Sequence, residues 1–213
     1  MVFYDPHIHH RRSIRLKGYD YSRAGLYFIT LCVQNRIKLF GQIENGQMIL
    51  NTFGSIAKEE WEATANIRPN CSLGEYIVMP DHFHAIISID YQIGNNKERT
   101  GKFQSPTQTI GAIIRGFKGA ATKRIKEYFL KYHTGELQFA PDPQFNQPDP
   151  SLAKFLNDRI EQKKSIWQRD YWEHIIWDKK SYIRISEYIR NNPLNWNKNK
   201  ITSKEKINDC GQA

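Results

Sequence analysis

The chain has 213 residues, 39% hydrophobic and 13% aromatic, which is enough apolar material to bury a core and speaks against global disorder. Its 31 Lys and Arg against 22 Asp and Glu leave a net charge of +9 and a pI near 9.4, favouring an anionic partner, nucleic acid before acidic membrane, although a merely basic protein fits the charge equally well. No apolar run approaches the roughly 20 residues of a membrane span, the opening MVFYDPHIHHRR lacks the apolar centre of a secretory signal, and Cys32, Cys71 and Cys210 are too scattered for a disulfide framework or a zinc motif.

Residues 1–25 are polar and basic, carrying Arg11, Arg12, Arg15, Lys17 and Arg23, and read as an extended N-terminal arm; His7, His9 and His10 fit either a tag or that arm. Residues 26–33, LYFITLCV, are β-branched and aromatic, and read as a buried strand. A short strand pair over 38–49 turns at Asn45-Gly46, a strong hairpin signal. Residues 54–65 place Ile56, Ala57, Trp61 and Ala65 at helical spacing. The stretch SLGEYIVMPDHFHAIISID puts two apolar runs around Pro80-Asp81, a tight hairpin. Alternation on its second strand sends Phe83, Ala85, Ile87 and Ile89 one way, and His82, His84, Ile86 and Ser88 the other.

Residues 91–107 read as a polar loop and 107–132 as a long helix. Ile110, Ile113, Ile114, Phe117, Ala121 and Ile125 form its apolar stripe, and Arg115, Lys118, Thr122 and Lys126 a separate polar, mostly basic one. Gly116 and Gly119 weaken such a helix and leave room for a close approach, such as that of a nucleic acid strand. A polar insertion over 133–164, rich in Pro, Gln and Asp, includes a short helix over 151–163. Residues 167–178 read as a further strand and 179–192 as a helix stopped by Pro193. The domain then spans 26–196, and a lysine-rich tail, 197–213, follows it. The order is β-α-β-β-α-β, the ferredoxin-like arrangement: an α+β fold with an antiparallel sheet and helices on one side.

Two features carry chemistry. Two imidazoles at i and i+2 of a strand, His82 and His84, point the same way and suit two ligands of one divalent cation; two half-exposed surface histidines would give the same pattern. Tyr188 and Asn192, i and i+4 on a helix, share a face. A phenol has an ordinary pKa near 10 and is a poor nucleophile unaided; a metal polarising the attacked phosphate would compensate, and an amide oxygen suits Mg²⁺ or Mn²⁺. Taken alone, a tyrosine at helical spacing such as Tyr188 is more often a packing residue. Lys and Arg of the arm and of the helix stripe can hold phosphates, while Tyr19, Tyr21, Trp167 and Trp172 are available to stack on unpaired bases. Tyr182 and Tyr171 compete with Tyr188 for the nucleophile role, but neither has an amide four residues later on a helix.

The stretches HHRRSIRLKGYDYSRAGLYFITLCVQNR, YIVMPDHFHAII, IGAIIRGFKGAATKRI and IWQRDYWEHIIWDKKSYIRISEYIRNNPLNW resemble the REP-associated tyrosine transposases of the HUH (His-hydrophobic-His) superfamily, over about residues 7–132 and 165–196. The resemblance implies a ferredoxin-like HUH fold, His82, His84 and Asn192 as ligands of Mg²⁺ or Mn²⁺, and Tyr188 as the single catalytic tyrosine. It implies a bacterial, nucleoid-associated cytoplasmic enzyme that nicks and rejoins single-stranded DNA bearing REP-type hairpins, as a monomer or else a dimer, without a membrane. Arg11, Arg12 and Arg15 become first candidates for reading the recognition sequence, joined in DNA binding by Arg115, Lys118 and Lys126. The alternatives are a non-catalytic nucleic-acid-binding ferredoxin-like module, a phosphodiesterase that uses water in place of tyrosine, and a replication initiator or relaxase of the same superfamily. The segment 132–165 is longer and more polar than the resemblance leads one to expect.

Overall fold

A computed structural model describes residues 23–91, 109–134 and 150–202. The arm carrying Arg11, Arg12, Arg15, Tyr19 and Tyr21, most of the expected loop over 91–107, the middle of the insertion and the end of the tail lie outside the described residues.

The elements follow the sequence closely. Strand β1 spans Gly25–Cys32, a hairpin follows as β2 (Gly41–Glu44) and β3 (Gln47–Leu50), and helix α1 covers Thr52–Ile67. The hairpin turn holds Asn45 at φ 50° and Gly46 at φ 76°, the left-handed pair such a two-residue turn demands. A Cβ on Gly46 would lie 2.6 Å from the Leu194 side chain, so glycine is required for space as well as for φ. Asn51 caps α1, its side chain accepting from the Gly54 N–H at 2.9 Å.

Strands β4 (Cys71–Met79) and β5 (His82–Ile89) form the next hairpin, turning at Pro80-Asp81; helices α2 (Ile110–His133) and α3 (Pro150–Glu161), strand β6 (Trp172–Ile176) and helix α4 (Lys179–Thr202) complete the chain. The main sheet runs β4-β5-β1-β6 with every neighbour antiparallel. That is the ferredoxin-like order, with β1 and β5 in the middle.

The two sheet faces have different partners. Phe83, Ala85, Ile87 and Ile89 join Tyr27, Ile29 and Leu31 in the main core under α1 and α2, where Trp61 meets both Phe83 and Phe117 edge-on. Such large buried rings dominate core energetics. On the other face Ile86 packs with Ile176 of the last strand and with Ile185 and Ile189 of α4. The expectation of helices on one side therefore holds for α1 and α2 and is corrected for α4. The sequence pattern assigns no partner to the His82/His84/Ile86 face, and α4 is the element that covers it.

Two further expectations change. Pro193 does not end α4, which runs on through it; a proline inside a helix costs about 3 kcal/mol, and the burial of Ile189 and Asn192 together with the packing of Trp196 on His82 holds the turns on either side. The final strand is shorter than 167–178. Trp167 is buried against Phe40 and Phe117 and bridges Val33 instead, so it is a core residue and presents no stacking surface. The part of the insertion forming α3 contributes Leu152, Phe155 and Leu156 to the main core.

Candidate active site

The register of the central strands assembles the site. Thr30 lies opposite His84 and Cys32 opposite His82, and the histidine rings stand 4.6 Å apart, centroid to centroid. Both are buried, at 6% and 5% exposure. Each ring is held through Nδ1: His82 by Asp81 Oδ1 at 2.6 Å, His84 by Thr30 Oγ1 at 2.8 Å. The Asp81 carboxylate only accepts, so His82 Nδ1 donates to it, and the Thr30 hydroxyl can accept from His84 Nδ1 in the same way; where Nδ1 donates, Nε2 keeps its lone pair, the arrangement in which a histidine can ligate a metal. Burial pushes both imidazoles below their ordinary pKa, and for His84 the charges of His82 and Arg36 add to the effect. Both are therefore neutral at neutral pH.

Helix α4 crosses this face with Tyr188, Asn192 and Trp196 in one row, four residues apart. Tyr188 Oη lies 3.4 Å from His84 Nε2 and its ring meets His84 edge-on. Trp196 stacks on His82 at 5.8 Å. Asn192 sits between these two contacts in the same row, is 2% exposed, and carries a buried Nδ2 with no hydrogen-bond partner. Arg190 clamps the helix to β4 through Glu75 at 3.0 Å.

Does this donor set fit a cation? Among the described residues no three His, Cys, Asp or Glu come together to hold one. The group here is two neutral imidazoles and one carboxamide. An orphaned buried amide end costs about 1–3 kcal/mol, and the two ends of an amide exchange by a half turn. With its oxygen turned into the space where Nδ2 finds no partner, Asn192 becomes an acceptor of the kind a hard cation takes. The residues fit.

The competing tyrosines lie elsewhere: Tyr171 packs against the main core beneath Lys118, and Tyr182 against the small α4 cluster. The basic stripe divides. Arg115 is exposed. Lys118 is buried, with its ammonium donating to the carbonyls of Gln168, Arg169 and Asp170 at 3.0–3.4 Å. Lys126 donates to the carbonyls of Arg159 and Lys164, both at 2.6 Å. These two lysines pin the segment before β6 and the end of α3, a duty that stripe counting misses. All three lie on α2, behind the sheet from the histidines. Next to Gly119, where a Cβ would meet nothing within 4 Å, Lys123, Lys126, Lys163 and Lys164 line a shallow groove.

Sequence reasoning misses Asp81, Thr30, Phe28, Arg36 and Trp196. Asp81 is in plain view beside His82, since a carboxylate next to a ligand histidine is a common orienter. The others need the strand register or the continuation of α4.

The fold and this cluster define a ferredoxin-like α+β protein whose sheet histidines meet a helix tyrosine. Known proteins resemble it. The chain is 38% identical over 205 residues to an uncharacterized protein of Haemophilus influenzae, covering 93% of this chain and 96% of that one, and belongs to one family with it. It is also similar to a Haemophilus influenzae protein described as a "Putative REP-associated tyrosine transposase", at 23% identity, covering 82% of this chain and 73% of that one. Two solved structures are similar: a REP-associated tyrosine transposase bound to a REP hairpin (18% identity, 85% of this chain and 74% of that one, TM-score 0.47) and a "putative transposase" from Deinococcus radiodurans (16% identity, 84% and 97%, TM-score 0.40). No protein-family model matches the chain. No helix of the described residues is long and apolar enough to cross a membrane.

Proposed function

We propose that the protein is a tyrosine transposase of the REP-associated kind: a metal-dependent enzyme that nicks single-stranded DNA bearing palindromic hairpins and transfers the strand. The observation that carries this reading is Tyr188 Oη at 3.4 Å from His84 Nε2, on the sheet face that holds the two buried imidazoles.

His82, His84 and Asn192 would hold the divalent cation, Mg²⁺ or Mn²⁺. Bound there, it would withdraw charge from the scissile phosphate as attack develops. Tyr188 supplies the nucleophile: its oxygen attacks phosphorus in line, the phosphorus–oxygen bond to the 3′ side of the upstream nucleotide breaks, and that oxygen leaves as a free 3′-hydroxyl. The downstream fragment stays on the protein as a 5′-phosphotyrosine. Attack by a 3′-hydroxyl on that linkage reseals a strand and returns the phenol, so the phosphodiester energy is conserved. With the Nε2 lone pair of His84 committed to the cation, the phenol proton is released to solvent water, and the departing 3′ oxygen takes up a proton from the same source. Tyr188 is 47% exposed, open enough to meet a strand, while the histidines beneath it are shielded from water. The arm with Arg11, Arg12 and Arg15 is proposed to read the flanking recognition sequence, with Arg115 contributing charge.

The test is covalent capture. The full chain is mixed with Mn²⁺ and single-stranded DNA carrying a REP-type hairpin and a label at its 3′ end, then resolved under denaturing conditions. A labelled protein band is the expected result. Cleaved DNA without any adduct points to a water-using phosphodiesterase, and binding without cleavage points to a non-catalytic module.

A further inference from the structure

The segment after β1 is stitched to the turn that carries the histidines. The Val33 N–H donates to the Asp81 carbonyl at 2.9 Å, and the Phe40 N–H donates to that of Pro80 at 3.1 Å. Between them Asn35 and Arg36 adopt φ values of 58° and 55°, a left-handed backbone that asparagine takes readily and arginine uncommonly. This bend places Arg36 Nε 3.2 Å from Asp81 Oδ2, with another guanidinium nitrogen 2.9 Å from Cys32 Sγ. The other oxygen of the same carboxylate accepts from His82 Nδ1 at 2.6 Å. Arg36, Asp81 and His82 thus form a chain, an ion pair followed by one charge-assisted hydrogen bond, that ends at the His82 imidazole.

Resting on the metal reading above, we propose that Asp81, oriented by Arg36, is the positioning residue that locks His82 in the tautomer able to bind the cation. A guanidinium can only donate, so whatever stands at position 81 must turn an acceptor toward Arg36. Aspartate has a second acceptor for His82 and keeps the proton on Nδ1 and the lone pair on Nε2. Asparagine does not. Its single oxygen is claimed by Arg36, its NH₂ faces Nδ1, and Nδ1 must then accept. The ring proton moves to Nε2, where it blocks ligation. Asp81→Asn is therefore a near-isosteric change that fails through proton placement, and removing Arg36 as well frees the amide to turn its oxygen back toward His82.

The experiment measures binding of Mn²⁺ alone, without DNA, to the full chain by isothermal titration calorimetry. His82→Ala is the control and should abolish binding at this site. Asp81→Asn should weaken Mn²⁺ affinity about 10–100-fold, the usual effect of disturbing a ligand's orienting partner. The double variant Arg36→Ala/Asp81→Asn should bind more tightly than Asp81→Asn alone, which a merely structural ion pair would never produce. Wild-type affinity in Asp81→Asn, or no recovery in the double variant, overturns the inference while leaving the metal reading intact. Mn²⁺ binding indifferent to His82→Ala overturns the metal reading and this inference with it. Long-range ¹H–¹⁵N correlation NMR on the unaltered, metal-free chain needs no variant at all: the proton of His82 is expected on Nδ1, and finding it on Nε2 overturns the proposal.

Discussion

Tyr188 and His84 lie 104 residues apart in the chain, yet the phenol oxygen stands 3.4 Å from the imidazole Nε2. Two independent elements produce this contact, a rigid central strand and the final helix, so it can be tested from either side.

From the helix side, Tyr188→Phe removes the nucleophilic oxygen and keeps the ring that packs edge-on against Phe28 and His84. Covalent capture of 3′-labelled DNA should vanish, while single-strand affinity and the melting temperature stay close to wild type, since only one half-exposed hydroxyl is removed. An undiminished adduct band in this variant would move the nucleophile elsewhere.

Asn192 predicts an opposition between stability and function. Its buried Nδ2 has no partner, so exchanging the amide for the apolar Leu removes a desolvation cost of about 1–3 kcal/mol. Thermal stability of Asn192→Leu should hold or rise, while Mn²⁺ binding and cleavage disappear. Cleavage surviving in a folded Asn192→Leu protein would exclude the amide from the ligand set.

Acid should destabilise the protein through the same site. His82 and His84 titrate below the ordinary imidazole value of 6.5, chiefly because burial penalises the charged ring. As pH falls below 6.5 the unfolded chain takes up protons before the folded one, so stability drops in that window and is fully present above it. Melting curves between neutrality and pH about 5 should fall more steeply for wild type than for His84→Gln. Parallel curves would mean that His84 is not buried as a neutral ring.

Lys118 should behave as a strut and not as a phosphate ligand. Burial pushes its ammonium down from 10.5 to about 8. Between those values the unfolded chain holds more protons, so stability rises with pH from about 8 to 10.5. Lys118→Met should flatten that rise and leave the salt dependence of DNA binding unchanged. Deleting the arm with Arg11, Arg12 and Arg15 should instead reduce that dependence, by about one unit of slope for each phosphate the protein no longer neutralises. A shallower salt slope in Lys118→Met would return this residue to the DNA surface.

The amino-acid sequence by itself determined the β-α-β-β-α-β order, the turns at Asn45-Gly46 and Pro80-Asp81, the face shared by His82 and His84, and the row shared by Tyr188 and Asn192. All of these are local: they follow from periods of two and 3.6 residues and from turn chemistry within a few positions. The family resemblance already grouped Tyr188 and Asn192 of the last helix with the two histidines; only the tertiary structure decided that Pro193 is carried inside α4 so that Trp196 reaches His82, that Lys118 points inward at three carbonyls, and that Arg36 meets Asp81. Each of those depends on which surfaces burial brings together over tens of residues. The free energy of that packing outweighs the helix-breaking tendency of a proline and the preference of a lysine for water, and no short-range pattern records it.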